Sequence, residues 1–209
     1  MPSVLVLGTR NQKKRKEIAE IMSDLGIELK DLSAFPEAPE VEENGATFEA
    51  NARKKAEELA KRLHHWVLGE DSGLVVPALN GRPGVHSARY AGKHGDDAAN
   101  NQRLLAELAP LPEDRRAAYY VCTAALADPE GKTVAVVEGR CHGVIIREPR
   151  GTGGFGYDPL FLIPEYHRTF GELSPRVKHA LSHRARALAH LKPLIRRVFP
   201  DSGHILAQS

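Results

Sequence analysis

Short apolar runs and helically spaced apolar positions alternate along the chain. Residues 4–7 are four apolar residues closed by Gly8, the signature of a short buried strand. From Asn11 the chain turns polar, with Ile18, Ile21, Met22 and Leu25 at helical spacing and Gly26 as the stop. Residues 27–32 predict a second strand. A Pro-containing acidic loop at 37–45 leads into a long helix that Thr47 caps and Leu63 closes. Residues 66–68 and 74–76 predict strands on either side of Gly69-Glu70-Asp71-Ser72-Gly73, which sets Asp71 at a strand end, and Asn80-Gly81 marks a turn. A helix is predicted over 96–108. Residues 117–127 and 133–146 flank Asp128-Pro129-Glu130-Gly131, a hairpin signal. Residues 160–163 add a strand. Ser174-Pro175 and Ser182 both read as helix starts, the last helix running to about Phe199 ahead of a frayed end. Strands and helices intermix, so the class is α/β with a mixed sheet.

The chain has 209 residues, enough for one bilobal domain over 1–199 with a flexible tail at 200–209. Lys+Arg 29 against Asp+Glu 27 leaves a net charge of +2, too balanced for a nucleic-acid coat or a binder of anionic membranes. Any anion must therefore be met by a local cluster, and neither nucleic acid nor membrane is expected as a partner. Cys122 and Cys141 are too few for a disulfide scaffold or a Cys-rich zinc site, which suits a reducing compartment. Met1-Pro2-Ser3 offers no basic flank and the apolar run behind it is too short for a signal, so the expected location is the cytoplasm.

Charge placement changes the picture. The helix after Thr9-Arg10-Asn11 carries Lys13, Lys14, Arg15 and Lys16 in its first turn, where each cation opposes the macrodipole by roughly 0.3–1 kcal/mol. With hydroxyl and amide side chains and free backbone N–H groups, this turn suits a phosphate cradle; alternatively the lysines splay into water. His183 and Arg184 after Ser182, with Lys178 one turn earlier, repeat the anomaly, and two such sites point to one polyanionic ligand. Glu42, Glu43, Glu49, Glu70 and Asp71 form the acidic counterpart. Mg²⁺ takes one or two carboxylates together with waters and substrate phosphates, whereas a solvated loop for Glu42-Glu43 and a turn role for Asp71 are the plainer readings. Gly151-Thr152-Gly153-Gly154-Phe155-Gly156 matches GxGxxG formally, but no helix follows. It reads as a loop presenting Phe155, Tyr157 and Asp158, its aromatic either stacked on a base or folded into the core. His179 and His183 lack the HExxH pattern of a zinc site, and Ser72 and Ser87 lack a nucleophile elbow.

In Thr9-Arg10-Asn11-Gln12-Lys13-Lys14, Glu70-Asp71-Ser72-Gly73, Phe155-Gly156-Tyr157-Asp158-Pro159 and Ser182-His183-Arg184, in that order, the chain resembles the inosine triphosphate pyrophosphatase family from about Val4 to about Ile195. The resemblance implies Mg²⁺-dependent hydrolysis of ITP, dITP and XTP to the monophosphate and pyrophosphate. It also implies an elongated, two-lobed α/β fold around a long mixed sheet with flanking helices, the site in the cleft between lobes, and a homodimer. Thr9, Asn11 and Lys14 resemble the triphosphate-binding turn, with Arg10, Gln12 and Lys13 beside them, and Lys55 the second phosphate-contacting lysine. Glu43 resembles the metal carboxylate, and Asp71 the proton acceptor that also reaches the metal. Ser72 resembles a substrate contact; Phe155, Gly156, Tyr157, Asp158, Lys178, His183 and Arg184 resemble the base pocket. Arg10 and Glu70 depart from the family, where many members have Gly and Asp. Two other functions fit parts of the pattern: a pyrophosphatase for pyrimidine or methylated nucleotides, and a non-catalytic module stacking single-stranded RNA on Phe155, Tyr157 and Tyr119-Tyr120.

Overall fold

The computed structural model describes residues 4–200. Met1-Pro2-Ser3 and the tail from 201, on which the expectations of a signal-free start and a frayed end fall, lie outside the described residues.

Strand β1 (Val4–Leu7) pairs in parallel with β2 (Glu28–Asp31) on one side and with β3 (Trp66–Val75) on the other. Side chains alternate across a strand, so Leu5 and Leu7 face one way and Val6 the other. Leu5 and Leu7 pack with Ile18 and Met22, from helix α1 (Gln12–Ile21) and its end, and with Leu188, Leu191 and Ile195 of α5 (His183–Val198). Val6 meets Ala52, Ala56 and Leu59 of α2 (Phe48–Leu63). Burial on both faces explains why the run at 4–7 is continuous rather than alternating. The predicted cap Thr47 is in place, its Oγ1 accepting from the Ala50 N–H at 3.1 Å, and Asn11 caps α1, its Oδ1 accepting from the Lys13 and Lys14 N–H groups at 3.0 and 3.1 Å.

The sheet has seven strands in the order β2-β1-β3-β4-β5-β6-β7, with β4 at Ala117–Ala127, β5 at Thr133–Ile145, β6 at Phe161–Ile163 and β7 at Arg168–Thr169. β5 with β6 and β6 with β7 are antiparallel, so the sheet is mixed. The turn joining β4 to β5 is the predicted one, with Asp128 Oδ1 accepting from the Glu130 and Lys132 N–H groups.

One expectation is corrected. Residues 66–75 form a single strand, so Asp71 lies inside β3 rather than at its end. Its polar composition reads as a loop, but the Glu70 and Asp71 side chains have charged partners that let the backbone stay extended while buried. Gly69 is needed because α2 crosses it closely: a Cβ there would stand 2.3 Å from the Ala52 carbonyl oxygen. It is β1 that ends here, at Leu7, with the Gly8 N–H donating to Leu68 O at 2.8 Å, so residues 69–71 run past the carboxyl end of their neighbour.

The chain divides into two compact units. The first holds the residues up to Asp71, Cys122–Gly139 and those from Arg184 onward, and carries the two-sided core just described. The second comprises Ser72–Val121 and Arg140–His183. Its core gathers Leu74, Tyr90, Tyr120, Tyr157, Phe161 and Phe170 with Leu104 and Leu108 of α3 (Asp97–Leu108). There Arg116, 1 % exposed, donates to the carbonyls of Leu108, Ile145 and Ile146, joining the end of α3 to the end of β5. Helix α4 (Pro175–Leu181) starts at its predicted cap, Ser174. No described helix is long and apolar enough to cross a membrane.

Candidate active site

In the first unit the two cation-bearing helix starts meet one carboxylate. Lys14 Nζ lies 3.0 Å from Glu70 Oε2, and Arg184 Nη2 lies 2.9 Å from Glu70 Oε1 while its Nη1 pairs with Glu17 of α1. Glu70 and Arg184 are each 1 % exposed. The compensation that the sequence assigns to a polyanionic ligand is thus supplied, at Lys14 and Arg184, by Glu70 and Glu17. Burial works against Glu70's charge, but Arg184, Lys14 and Lys55 outweigh it and hold its carboxyl well below the usual range. Burial likewise opposes the charge of Lys14, and Glu70 and Asp71 overcome it. Thr9 Oγ1 accepts from the Asn11 N–H, the Arg10 guanidinium donates to the Ala38 carbonyl at 2.8 Å, and Gln12 and Lys13 are exposed.

Asp71 follows Glu70 on β3 and so points to the opposite face, toward α2. Asn51 Nδ2 donates to Asp71 Oδ2 at 2.9 Å, and Lys55, one turn further along α2, lies 3.0 Å from Glu43 Oε2. Burial pushes the Asp71 carboxyl up to about 6; Lys14 and Lys55 pull against that, and the negative charge of Glu43 adds to it. Burial opposes ionisation of Glu43 too, but Lys55 and Lys14, together with a hydrogen bond shared with Asp71, keep it below the ordinary range. The acidic set therefore splits. Glu43 and Asp71 form a pair and Glu70 neutralises cations, whereas exposed Glu42 accepts from Asn44 and exposed Glu49 pairs with Arg53. Ser72, next on the strand, is half-buried.

The donor chemistry of Glu43 and Asp71 fits a hard divalent cation. Among the described residues no group of three or more His, Cys, Asp or Glu side chains could enclose a metal. Two adjoining carboxyls, Glu43 held below the ordinary range and Asp71 raised only to about 6, are both mainly ionised at neutral pH and suit an ion such as Mg²⁺ that completes its shell with water and phosphate oxygens.

The second unit assembles a different set. Lys178, 5 % exposed, donates to Asp158 Oδ2 at 2.7 Å with its ammonium 4.8 Å from the centroid of the Phe155 ring. The Phe155 N–H donates to the same oxygen at 2.8 Å, and the Tyr120 hydroxyl reaches Oδ1 at 3.3 Å. The His183 ring stacks on Tyr120 at 4.7 Å and 12°. The Gly156 N–H donates to Asp97 at 2.9 Å, its carbonyl accepts from Asn101 at 2.9 Å, and the Tyr157 hydroxyl donates to Ser87 O at 2.8 Å. Phe155 and Asp158, on a glycine turn that passes through φ values of 72° and 62° at Gly154 and Gly156, are thereby brought together with Lys178 of α4, and His183 at the start of α5 joins them through Tyr120. Arg184, the next residue after His183, belongs to the Glu70 cluster of the first unit. The aromatic set of an RNA-stacking module is not assembled. Tyr120 and Tyr157 are in the core, and Tyr119 lies across β4 against His142 and Arg140.

Sequence reasoning misses Asn51, Asp97 and Asn101, and it offers Tyr120 only as part of an RNA-stacking set. Asn51 carried a usable signal: it is a polar residue on the face of α2 that also presents Ala52, Lys55, Ala56 and Leu59 to the interior.

A mixed α/β sheet that buries a carboxyl among ammonium groups past the end of its neighbouring strand is the layout of a phosphate-handling enzyme. The chain belongs to the Ham1 family, whose match spans residues 5–194. It is 55 % identical over 199 residues to the dITP/XTP pyrophosphatase of Rhodopirellula baltica, covering 95 % of this chain and 96 % of that one. Against the dITP/XTP pyrophosphatase of Geobacter sulfurreducens it is 53 % identical over 188 residues, covering 90 % and 94 %. The structure of a HAM1 protein from Coxiella burnetii, 40 % identical, superimposes with a TM-score of 0.85 over 93 % of this chain and 99 % of that one.

Proposed function

We propose that this chain hydrolyses the non-standard purine nucleotides ITP, dITP and XTP to the nucleoside monophosphate and pyrophosphate, clearing them from the nucleotide pool. The observation that carries the reading is Asp71, buried among Lys14, Lys55 and Glu43 with its carboxyl pushed up to about 6, poised to take a proton near neutral pH. Relatives that match nearly the whole chain bear the name dITP/XTP pyrophosphatase.

Asp71 accepts the proton of a water directed at the α-phosphorus, and pyrophosphate leaves with no covalent intermediate. Lys14 and Lys55 place ammonium groups against the phosphate oxygens, where positioning and charge neutralisation supply most of the catalysis. Glu43 and Asp71 would hold Mg²⁺, which supplies Lewis-acid polarisation of the phosphate when bound. In the second unit, Lys178 and His183 offer donors for the 6-oxo group of hypoxanthine or xanthine, with Asp158 holding Lys178 in place. An adenine 6-amine would set donor against donor, a mismatch that can reject by about 10⁴-fold. The reading includes a cytoplasmic homodimer, tested by sedimentation and cell fractionation.

Parallel incubations with Mg²⁺ and ITP, XTP, dITP, ATP, GTP or dTTP test it, with pyrophosphate and orthophosphate scored separately. Pyrophosphate from the first three, with little turnover of the rest, is the expected result. Orthophosphate as the primary product, or equal turnover of ATP, overturns it.

A further inference from the structure

We propose that Asn51 is a positioning residue that sets both reactive carboxyls, Asp71 and Glu43, from a single side-chain amide. Asn51 lies in the first turn of α2 and is 1 % exposed. Its Nδ2 donates to Asp71 Oδ2 at 2.9 Å, and its Oδ1 accepts from the Gly45 N–H at 2.8 Å. Gly45 is two residues beyond Glu43, so one arm of the amide orients the Asp71 carboxyl while the other anchors the loop that brings Glu43 to it. The loop fits closely, since a Cβ on Gly45 would stand 2.7 Å from Asn51 Oδ1. Lys55, four residues on and on the same helix face, completes the arrangement by pairing with Glu43 at 3.0 Å.

The chemistry selects an amide. A carboxylate at 51 could hold the Gly45 N–H but would face Asp71 with like charge. An aliphatic residue would leave the Gly45 N–H and one Asp71 oxygen without their partner in a buried site, and Gln would carry the amide one methylene too far. The placement of Nδ2 toward the carboxyl and Oδ1 toward the N–H follows from the two partners. This role rests on the function proposed above for Asp71 and Glu43; the hydrogen bonds do not.

Asn51→Asp and Asn51→Leu separate the two arms, with kcat and KM for XTP measured beside hydrogen exchange at the Gly45 amide and thermal unfolding. Asn51→Asp keeps the acceptor for Gly45, so that amide should stay protected while kcat falls by about 10–100-fold and KM changes by less than about threefold, the scale of lost support to a reactive group. Asn51→Leu should lose both kcat and Gly45 protection. Gly45→Ala gives an independent route, expected to lower kcat with the amide side chain intact. Wild-type kcat in a folded Asn51→Leu protein, or a Gly45 amide that exchanges freely in the unmodified chain, overturns the proposal. Failure of the unmodified chain to release pyrophosphate from XTP would sink the functional reading alone, since Gly45 protection and its loss in Asn51→Leu still decide the geometry.

Discussion

Arg184 Nη2 and Glu70 Oε1 lie 2.9 Å apart although 114 residues separate them in the chain, and both side chains are all but inaccessible to water. This pair, extended by Lys14 on the other carboxyl oxygen, joins the start of α5 to β3 and to the start of α1. Removing one partner of such a buried set leaves the others as uncompensated charges, which is far more costly than exchanging the whole set for apolar groups.

Glu70→Gln should therefore destabilise the protein by about 3–5 kcal/mol. For a chain of this size that is a fall in Tm on the order of 10 °C, read by calorimetry or circular dichroism. A fall of less than about 2 °C would show that water or rearrangement compensates Arg184.

Asp71→Asn should abolish turnover while sparing nucleotide binding, and the stability of the unmodified protein relative to this variant should depend on pH in a definite direction. Burial raises the Asp71 carboxyl from 3.8 to about 6. A group with a folded pKa above its unfolded value favours folding fully below the unfolded value, and that contribution is lost as pH rises through the folded one. Metal-free wild-type protein should thus lose stability relative to the Asn variant between pH 4 and pH 7, by on the order of 2–3 kcal/mol. Parallel urea melts across that range check the sign, and kcat/KM of the unmodified enzyme should fall as pH drops through about 6.

Gly69→Ala should be severe for steric reasons alone. The new Cβ would lie 2.3 Å from Ala52 O and 2.7 Å from Ala56 N, both backbone atoms of α2. Either the helix moves or the strand does, at about 3 kcal/mol or more. Because α2 carries Asn51 and Lys55, activity should fall further than stability alone accounts for, which kinetics on the folded fraction would reveal.

Tyr120→Phe should be mild in stability and visible in selectivity. The ring keeps its stacking on His183, but the 3.3 Å contact from its hydroxyl to Asp158 is lost. A loss of about 1 kcal/mol is expected, with the ratio of kcat/KM for XTP over ATP falling by up to about tenfold. An unchanged ratio would detach Tyr120 from the choice of base.

Much of the fold was legible because local signals agreed with one another. Thr47, Asn11, Asp96 and Ser174 each accept from backbone N–H groups at the helix starts they mark, and the Asp128 turn closes its hairpin. The stretch at 69–73 was misread because glycines and acids ordinarily signal a loop, and only the ammonium and guanidinium groups converging on it allow an extended buried strand. The contacts that Tyr120 and Asp97 make were invisible for another reason. An aromatic in an apolar strand and an acid in a helix's first turn have ordinary local explanations, and nothing local shows that Asp158 and Gly156 come to meet them.

The order of elements, their caps and the inventory of charged and aromatic side chains were written in the amino-acid sequence, because each depends on neighbours a few residues away. Which carboxyl answers which cation was decided only by the folded chain. Glu70 and Asp71 are adjacent in sequence and identical in charge, yet strand alternation turns them to opposite faces. One becomes the permanent counter-charge of Lys14 and Arg184, and the other, set against Asn51 and Glu43, is raised to about 6 and can take up a proton just below neutral pH.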